Sequence, residues 1–317
     1  MKKLLITRGL PEATLAAARA RFDVTLRTET TGLTVAEAAA ALRDYDAILP
    51  TLGDGFAAAA FTGAIRCGVL ANFGVGYNHI DVAAARAAGV CVSNTPDAVT
   101  DATADIGMTL ILSACRRAGE GERLVRAGQW TGWQPTQMLG THVTGKTVGI
   151  VGMGRIGQAV ARRCLYGFNM PVLYFNRSPK MVDMPAQQVD SLHDLMGRAD
   201  IIVVTVPGGG SNTGLIDAAA LAAMKPNGIF VNIARGDVVD EDALIAALQK
   251  RQIAGAGLDV FAKEPIVPDA LRALENVVIL PHLGTAALEV REAMGQMALD
   301  NIIAWDEGRA LPQGLTS

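Results

Sequence analysis

The strongest constraint on the fold is the alternation of short β-branched runs with longer alanine-rich segments. The longer segments carry apolar residues at helical spacing, and they lie at residues 11–20, 35–43, 156–164, 218–224 and 241–249. The β-branched runs are predicted strands, at residues 4–7, 46–50, 69–72, 90–93, 148–151, 172–175, 201–206, 229–233, 255–260 and 277–280. Strands that alternate with helices form βαβ units, in which helices cover parallel strands. The sequence therefore predicts an α/β fold with parallel sheets.

The 317 residues, half of them hydrophobic, are enough for two cores of ordinary size. The first run of strands ends near Asn94, and residues 101–117 read as one long helix that leads into a Gly- and Trp-rich loop at 128–133. A second run of strands begins at Val148. We predict one domain of residues 1–97 and 289–317, completed by a final helix that ends near residue 306, and a second domain of residues 98–288.

Composition argues against several classes of partner. The chain has 28 Lys and Arg against 31 Asp and Glu, and it has no long basic run. Neither nucleic acid nor a membrane is therefore an expected partner. The four cysteines have no C-x-x-C spacing, the N-terminus becomes polar too early for a signal peptide, and no apolar run reaches the roughly 18 residues of a membrane helix. These features predict a reduced, cytoplasmic protein.

The most specific local motif is a glycine-rich turn at residues 147–157. It reads Thr-Val-Gly-Ile-Val-Gly-Met-Gly-Arg-Ile-Gly, a buried-strand pattern that runs into G-x-G-x-x-G and then a helix. Gly152 permits the tight turn, Gly154 lets a pyrophosphate approach the backbone, and Gly157 lets the helix pack on the strand. Glycines also serve ordinary turns, but this strand-turn-helix context predicts dinucleotide binding.

The loop after the next strand predicts a preference for NADP(H) over NAD(H). A carboxylate about 20 residues beyond the glycines ordinarily binds the ribose 2′-hydroxyl and repels a 2′-phosphate. Here Asn176, Arg177 and Ser178 occupy that place, Lys180 follows, and no acid lies between residues 172 and 180. The guanidinium suits a phosphate, and the amide and hydroxyl offer uncharged hydrogen bonds. The alternative is that Arg177 and Lys180 only form a solvated turn.

Three candidate catalytic residues follow later strands. Arg235 lies in Asn-Ile-Ala-Arg-Gly-Asp, Glu264 in Gly-Leu-Asp-Val-Phe-Ala-Lys-Glu-Pro, and His282 in Leu-Pro-His-Leu-Gly-Thr-Ala. Each segment comes after the carboxyl end of a predicted strand, which is where open α/β sheets bind ligands. We therefore expect the three side chains to converge. We interpret the other histidines as ordinary surface or core residues; they are His79, His142 and His193.

The order of these motifs resembles that of the D-isomer-specific 2-hydroxyacid dehydrogenase family over nearly the whole chain. Residues 72–81 look like its substrate loop, and residues 94–105 are similar to its glyoxylate/hydroxypyruvate reductase branch. The resemblance implies two Rossmann-like domains, a flavodoxin-like substrate domain and an NAD(P)-binding domain. It also implies hydride transfer between NADPH and a small 2-oxo acid, such as glyoxylate or hydroxypyruvate, and a homodimer formed through residues 101–138.

The chemistry explains why these residue types are needed. Hydride delivery to a 2-oxo acid leaves negative charge on the carbonyl oxygen, which must meet a cation and a proton donor. The fork of Arg235 suits the substrate carboxylate and carbonyl, and the imidazolium of His282 is a natural proton donor. The resemblance implies that Glu264 orients and stabilises that imidazolium. It further implies that the backbone N–H groups of Val75 and Gly76 bind the carboxylate.

The glycine-rich turn, the loop after the next strand and the resemblance together predict a set of cofactor contacts, and no metal is expected. One member, Asp259, has two possible roles. It binds the nicotinamide amide, which we favour, or it only satisfies backbone donors. One threonine contact expected of the family is missing, because residues 206–213 read Val-Pro-Gly-Gly-Gly-Ser-Asn-Thr. The full set is Thr103, Gly152, Gly154, Arg155, Ile156, Gly157, Asn176, Arg177, Ser178, Val206, Pro207, Ile233, Ala234, Arg235, Asp259, His282 and Gly284.

Two other functions remain open, and a third is disfavoured. Formate dehydrogenases share the architecture, but they lack the glutamate, so Glu264 argues against them. A phosphoglycerate-type dehydrogenase is the enzymatic alternative, although many carry a further regulatory domain that the short C-terminal segment does not provide. A dinucleotide-sensing corepressor is the non-enzymatic alternative, and it would not need a complete proton-transfer pair.

Overall fold

The computed structural model describes residues 1–315, which divide into two compact units. One unit contains residues 1–99 and the described part of 285–317, and the other contains residues 100–284. Each unit is built around one parallel sheet. The predicted α/β fold with parallel sheets is confirmed, whereas the predicted boundaries at residues 97/98 and 288/289 stay predictions.

The first unit has a five-stranded sheet in the order β2-β1-β3-β4-β5, the flavodoxin-like order. Helix α11 belongs to this unit and packs on α1, and Gly295 permits the approach because a Cβ there would lie 2.3 Å from Thr14 Oγ1. The elements are β1 (Lys3–Ile6), α1 (Glu12–Arg19), β2 (Asp23–Leu26), α2 (Val35–Asp44), β3 (Ala47–Leu49), β4 (Val69–Ala71), α3 (Val82–Ala87), β5 (Cys91–Ser93) and α11 (Leu288–Asp306), with a 3-10 turn at Ala58–Ala60.

The second unit has a seven-stranded parallel sheet in the order β12-β11-β10-β9-β6-β7-β8. The strand order reverses between β6 and β9, which places the switch point beside the glycine-rich turn. The elements are α4 (Thr100–Cys115), α5 (Ala118–Arg126), β6 (Val148–Val151), α6 (Arg155–Arg162), β7 (Val172–Phe175), β8 (Gln187–Gln188), α7 (Leu192–Arg198), β9 (Ile201–Val204), α8 (Ala218–Ala222), β10 (Ile229–Asn232), α9 (Glu241–Gln249), β11 (Gly255–Leu258), α10 (Asp269–Arg272) and β12 (Val277–Ile279). A π-helical turn at Arg163–Gly167 continues α6, and 3-10 turns lie at Gly210–Asn212 and Gly236–Val238.

Burial explains why the central strands could be predicted from the sequence. Every residue of β6, β9, β10 and β11 is buried, as expected of parallel strands covered on both faces. Helix α4 packs directly on this sheet, because a Cβ on Gly257 would lie only 2.8 Å from the Cβ of Leu110.

The prediction of one helix over residues 101–117 is wrong at its carboxyl end. Helix α4 ends at Cys115, Arg117 adopts a left-handed φ of 53°, and a separate helix, α5, begins at Ala118. Helix α5 buries none of its residues. It therefore has no buried face of the kind from which a separate helix is predicted. Strands β2 and β8 and helices α3 and α7 were not predicted either.

Candidate functional site

The glycine-rich turn connects β6 to α6 at the switch point of the second sheet. Gly152 has a φ of 100°, and a Cβ there would lie 2.7 Å from Val206 Cγ1. Gly157 also excludes a side chain, because its Cβ would lie 2.2 Å from the carbonyl oxygen of Gly152. A Cβ on Gly154 would meet nothing within 4 Å, so the turn is open at this residue.

The residues of this turn fit a dinucleotide. No side chain caps α6 at its N-cap, Gly154, and the first turn of the helix contains Arg155 and Ile156. Uncapped N–H groups at a helix N-terminus bind anions, and the open face of Gly154 gives a pyrophosphate room to approach them.

Thr205, which the sequence reasoning missed, supports the glycine-rich turn. It follows β9, and its Oγ1 donates to the carbonyl oxygen of Gly152 at 2.6 Å. This bond holds the glycine-rich turn in the conformation that leaves Gly154 open. A hydroxyl directly after a buried strand at the switch point was the available signal.

The predicted 2′-phosphate loop follows β7. The Asn176 side chain accepts the N–H of Met153 at 3.2 Å and donates to the carbonyl of Ser178 at 2.7 Å, so it ties this loop to the glycine-rich turn. Arg177 Nη1 donates to the hydroxyl of Ser211 at 2.5 Å. Ser211 directly follows the three glycines at 208–210, and it was not predicted as part of this site.

Gly208 packs against the candidate catalytic arginine. A Cβ there would lie 2.7 Å from both Arg235 Cγ and Asp237 Oδ1, and Asp237 accepts the N–H of Gly209 at 2.7 Å. The absence of a side chain at Gly208 therefore lets this loop cover the stem of Arg235. Asp237, which anchors the loop, was missed.

Arg235 follows β10 by three residues. Its Nη1 donates to the carbonyl of Ala234 at 2.7 Å, while its buried Nε has no hydrogen-bond partner within residues 1–315. Burial lowers the pKa of Arg235, and the nearby charges of Glu264 and Asp237 oppose this shift. A buried guanidinium with an unused donor suits an anionic ligand.

Glu264 and His282 form a hydrogen-bonded pair. His282 Nδ1 lies 2.7 Å from Glu264 Oε2, and the other oxygen of Glu264 accepts the N–H of Phe261 at 3.0 Å. Burial raises the pKa of Glu264, but the hydrogen bond and charge of His282, the Phe261 N–H and Arg235 outweigh it, so the net pKa is lowered. An ionised Glu264 fixes a proton on Nδ1, which leaves Nε2 to give or take a proton.

Asp259 follows β11 and holds the turn that carries His282. Its carboxylate accepts the N–H groups of Leu283 at 2.6 Å and Gly284 at 2.8 Å. Burial raises the pKa of Asp259, and the two N–H groups and His282 act in the opposite direction. The structure thus gives Asp259 the backbone contacts of the alternative reading, and its nicotinamide contact stays a prediction.

The remaining predicted contacts lie around the same sheet edge or in the first unit. Thr103 of α4 lies beside Gly284, whose Cβ would be 3.5 Å from the Thr103 hydroxyl oxygen. Val75 and Gly76 lie in the loop after β4 of the first unit. Val206 and Pro207 come just after Thr205, beyond the end of β9, and Ile233 and Ala234 follow β10 directly.

Other chemistries lack support in the described part of the chain. Residues 1–315 contain no group of three or more His, Cys, Asp or Glu side chains able to hold a metal ion. All four cysteines are unpaired. Burial raises the pKa of Cys67, Cys115 and Cys164 to about 12, so these thiols stay protonated and unreactive. None of the described helices is long and apolar enough to cross a membrane.

Comparisons with known proteins were made for the sequence and for the fold. Residues 108–284 match the family described as "D-isomer specific 2-hydroxyacid dehydrogenase, NAD binding domain". The glyoxylate reductase of Thermococcus kodakarensis is 41% identical over 316 residues, which cover 98% of this chain and 95% of that protein. The glycerate dehydrogenase of Hyphomicrobium methylovorum is 37% identical and covers 96% and 95% of the two chains.

A solved structure extends the comparison. It is an NADPH-dependent glyoxylate/hydroxypyruvate reductase from Sinorhizobium meliloti in complex with NADP and malonate, and it superposes with a TM-score of 0.89. The two sequences are 34% identical, and the match covers 99% of this chain and 97% of that chain.

Proposed function

Because the chain belongs to the D-isomer specific 2-hydroxyacid dehydrogenase family, we propose that it is an NADPH-dependent reductase of glyoxylate and hydroxypyruvate. The observation that carries this proposal is the 2.7 Å contact between His282 and Glu264 at the carboxyl edge of the second sheet. A complete proton-transfer pair serves carbonyl reduction, whereas a sensor or a formate dehydrogenase has no use for it. Two of the similar proteins are named as a glyoxylate reductase and a glyoxylate/hydroxypyruvate reductase.

In the proposed reaction, a dinucleotide whose pyrophosphate lies at the glycine-rich turn would supply the hydride from its dihydronicotinamide. Arg235 binds the substrate through its free N–H groups and neutralises charge that gathers on the carbonyl oxygen. His282 donates the proton from Nε2, and Glu264 holds the ring by Nδ1 and stabilises its charged form. The N–H groups of Val75 and Gly76 bind the substrate carboxylate.

The preference for NADPH rests on the loop after β7. Neutral and cationic side chains occupy it, and the guanidinium of Arg177 donates a hydrogen bond to Ser211 in the segment after β9. The relative from Sinorhizobium meliloti is described as NADPH-dependent. A cation at this place favours the 2′-phosphate, and no carboxylate between residues 172 and 180 repels it.

We also propose that the protein is a cytoplasmic homodimer. In the segment after α5, Trp130 is 54% exposed, Trp133 79% and Leu139 69%, and side chains of this kind are typical of protein interfaces. A Trp133→Glu variant is expected to be monomeric by light scattering. Wild type that is itself monomeric at micromolar concentration would contradict the dimer.

The function is tested by a steady-state panel with purified protein. Glyoxylate, hydroxypyruvate and 3-phosphohydroxypyruvate are each offered with NADPH and with NADH, and oxidation of the cofactor is followed by absorbance. We expect the highest kcat/KM for glyoxylate or hydroxypyruvate with NADPH. Preference for the phosphorylated acid would favour the phosphoglycerate-type alternative, and tight cofactor binding without turnover would favour the sensor.

A further inference from the structure

Two buried asparagines hold the loop that follows β4 in the first unit. Asn72, which is 0% exposed, donates from Nδ2 to the carbonyl oxygens of Gly74 at 2.8 Å and Gly76 at 3.0 Å. A single side-chain amide thus bridges two carbonyls of the same loop.

The second asparagine supplies a hydrogen-bond donor to the carbonyl between these two. Asn94, which is 8% exposed and follows β5, donates from Nδ2 to the carbonyl oxygen of Val75 at 2.8 Å. The N–H of Thr95 adds a bond to the Gly74 carbonyl at 3.1 Å. Three successive carbonyls are therefore all turned toward donors in the protein interior.

Fixing these carbonyls also fixes the N–H groups that follow them. In a planar trans peptide the C=O of one residue and the N–H of the next point in opposite directions. Because the carbonyls of Gly74 and Val75 face inward, the N–H groups of Val75 and Gly76 face away from those donors. Neither N–H donates a hydrogen bond anywhere in residues 1–315, and successive free N–H groups form an anion-binding concavity.

We infer that Asn72 and Asn94 are positioning residues that aim the N–H groups of Val75 and Gly76 at the substrate carboxylate. The inference rests on the proposed function, in which this loop binds the carboxylate. The asparagines act only through the backbone and do not touch the substrate. Their loss should therefore weaken carboxylate binding and leave cofactor binding unchanged.

The decisive variants are Asn94→Ala, which removes the donor, and Asn94→Asp, which places an acceptor beside the Val75 carbonyl. Ser93→Ala is the matched control, because the neighbouring Ser93 hydroxyl is buried and has no partner within residues 1–315. We measure KM for glyoxylate, the inhibition constant of oxamate, KM for NADPH, and the melting temperature. Oxamate is an unreactive analogue that keeps the carboxylate.

Both Asn94 variants should raise KM for glyoxylate and the inhibition constant of oxamate by about 10-fold or more, from the lost alignment of hydrogen bonds to a charged group. KM for NADPH should stay at the wild-type value, and Ser93→Ala should match wild type throughout. A merely structural role would instead lower the melting temperature and change all three constants together.

Unchanged glyoxylate and oxamate constants in folded Asn94 variants would overturn the inference while the proposed function stands. A wild-type protein that reduces no 2-oxo acid would instead overturn the proposed function. If neither Asn94 variant folds, Asn72→Ser provides the same comparison, and wild-type constants in that variant would also overturn the inference.

Discussion

The main-chain carbonyl of Asp259 accepts the N–H of His282 at 3.0 Å, and the Asp259 carboxylate accepts the next two N–H groups along the chain. His282 has a left-handed φ of 55°, which is unfavourable for a residue with a Cβ. The three hydrogen bonds that Asp259 accepts compensate for the energetic cost of this conformation. Asp259 therefore sets the backbone geometry that brings the imidazole to Glu264.

Asp259→Asn should lower kcat and also destabilise the protein. An asparagine amide has one oxygen for the two N–H groups of Leu283 and Gly284, and its NH2 group would face the second of them. A buried donor left without a partner costs about 1–3 kcal/mol. We expect a fall in kcat of about 10-fold or more, by loss of proton-transfer geometry, and earlier urea unfolding. Asp190→Asn, at an exposed position, is the control. Wild-type kcat in Asp259→Asn would show that the turn does not depend on this carboxylate.

Glu264→Gln should shift the pH dependence of kcat/KM. The pKa of Glu264 is lowered, so its carboxylate is ionised at every pH above the ordinary value of 4.5 and stabilises the imidazolium there. Glutamine carries no charge and supports an imidazolium less well, so the alkaline fall in kcat/KM moves to lower pH. The readout is the pH profile with glyoxylate. A profile that coincides with wild type would remove Glu264 from the proton transfer.

Gly208→Ala should disturb Arg235 without touching the substrate. The added Cβ would lie 2.7 Å from Arg235 Cγ, so the loop and the stem of Arg235 must move apart. We expect KM for the 2-oxo acid to rise and kcat to fall, while Gly167→Ala, whose Cβ meets nothing within 4 Å, should behave as wild type. Equal kinetics for the two variants would contradict the packing of the glycine loop on Arg235.

Arg177→Ala should weaken NADPH binding by about 10- to 150-fold and affect NADH far less, because a hydrogen bond to a charged group contributes about 1.5–3 kcal/mol. Asn176→Asp should reverse the preference, since an aspartate keeps the acceptor for Met153 N–H but repels a 2′-phosphate. Lys180→Ala is the control for loss of a cation. The measurement is kcat/KM with both cofactors. Undiminished NADPH preference in Asn176→Asp would show that this loop does not select the cofactor.

The elements that the sequence predicted well are those whose pattern arises from burial on both faces. Strands β6 and β7 begin and end at the predicted residues, 148–151 and 172–175, because they are unbroken apolar runs. Strand β2 is short and alternates exposed with half-buried residues, and β8 has only two residues. Their pairing with β1 and β7 defines them, and that pairing is tertiary information.

In the candidate site, too, some residues could be predicted from the sequence and others could not. Motif order pointed to Glu264 and His282, and the structure brings these two side chains into contact. The roles of Asp237, Ser211 and Asn94 could not be predicted, because each acts through a contact with a residue distant in sequence. Hydroxyls, amides and acids of this kind follow many strands without a function, so their residue type alone is uninformative.

The most direct test of the account is the rate of glyoxylate reduction by His282→Gln with saturating NADPH. Glutamine keeps a hydrogen-bonding side chain but cannot donate a proton as an imidazolium does. We predict that kcat falls by a factor of roughly 100 or more on the scale of general acid catalysis, while NADPH binding, measured by fluorescence titration, stays at the wild-type value. A near wild-type kcat in this variant would contradict the assignment of His282 as the proton donor.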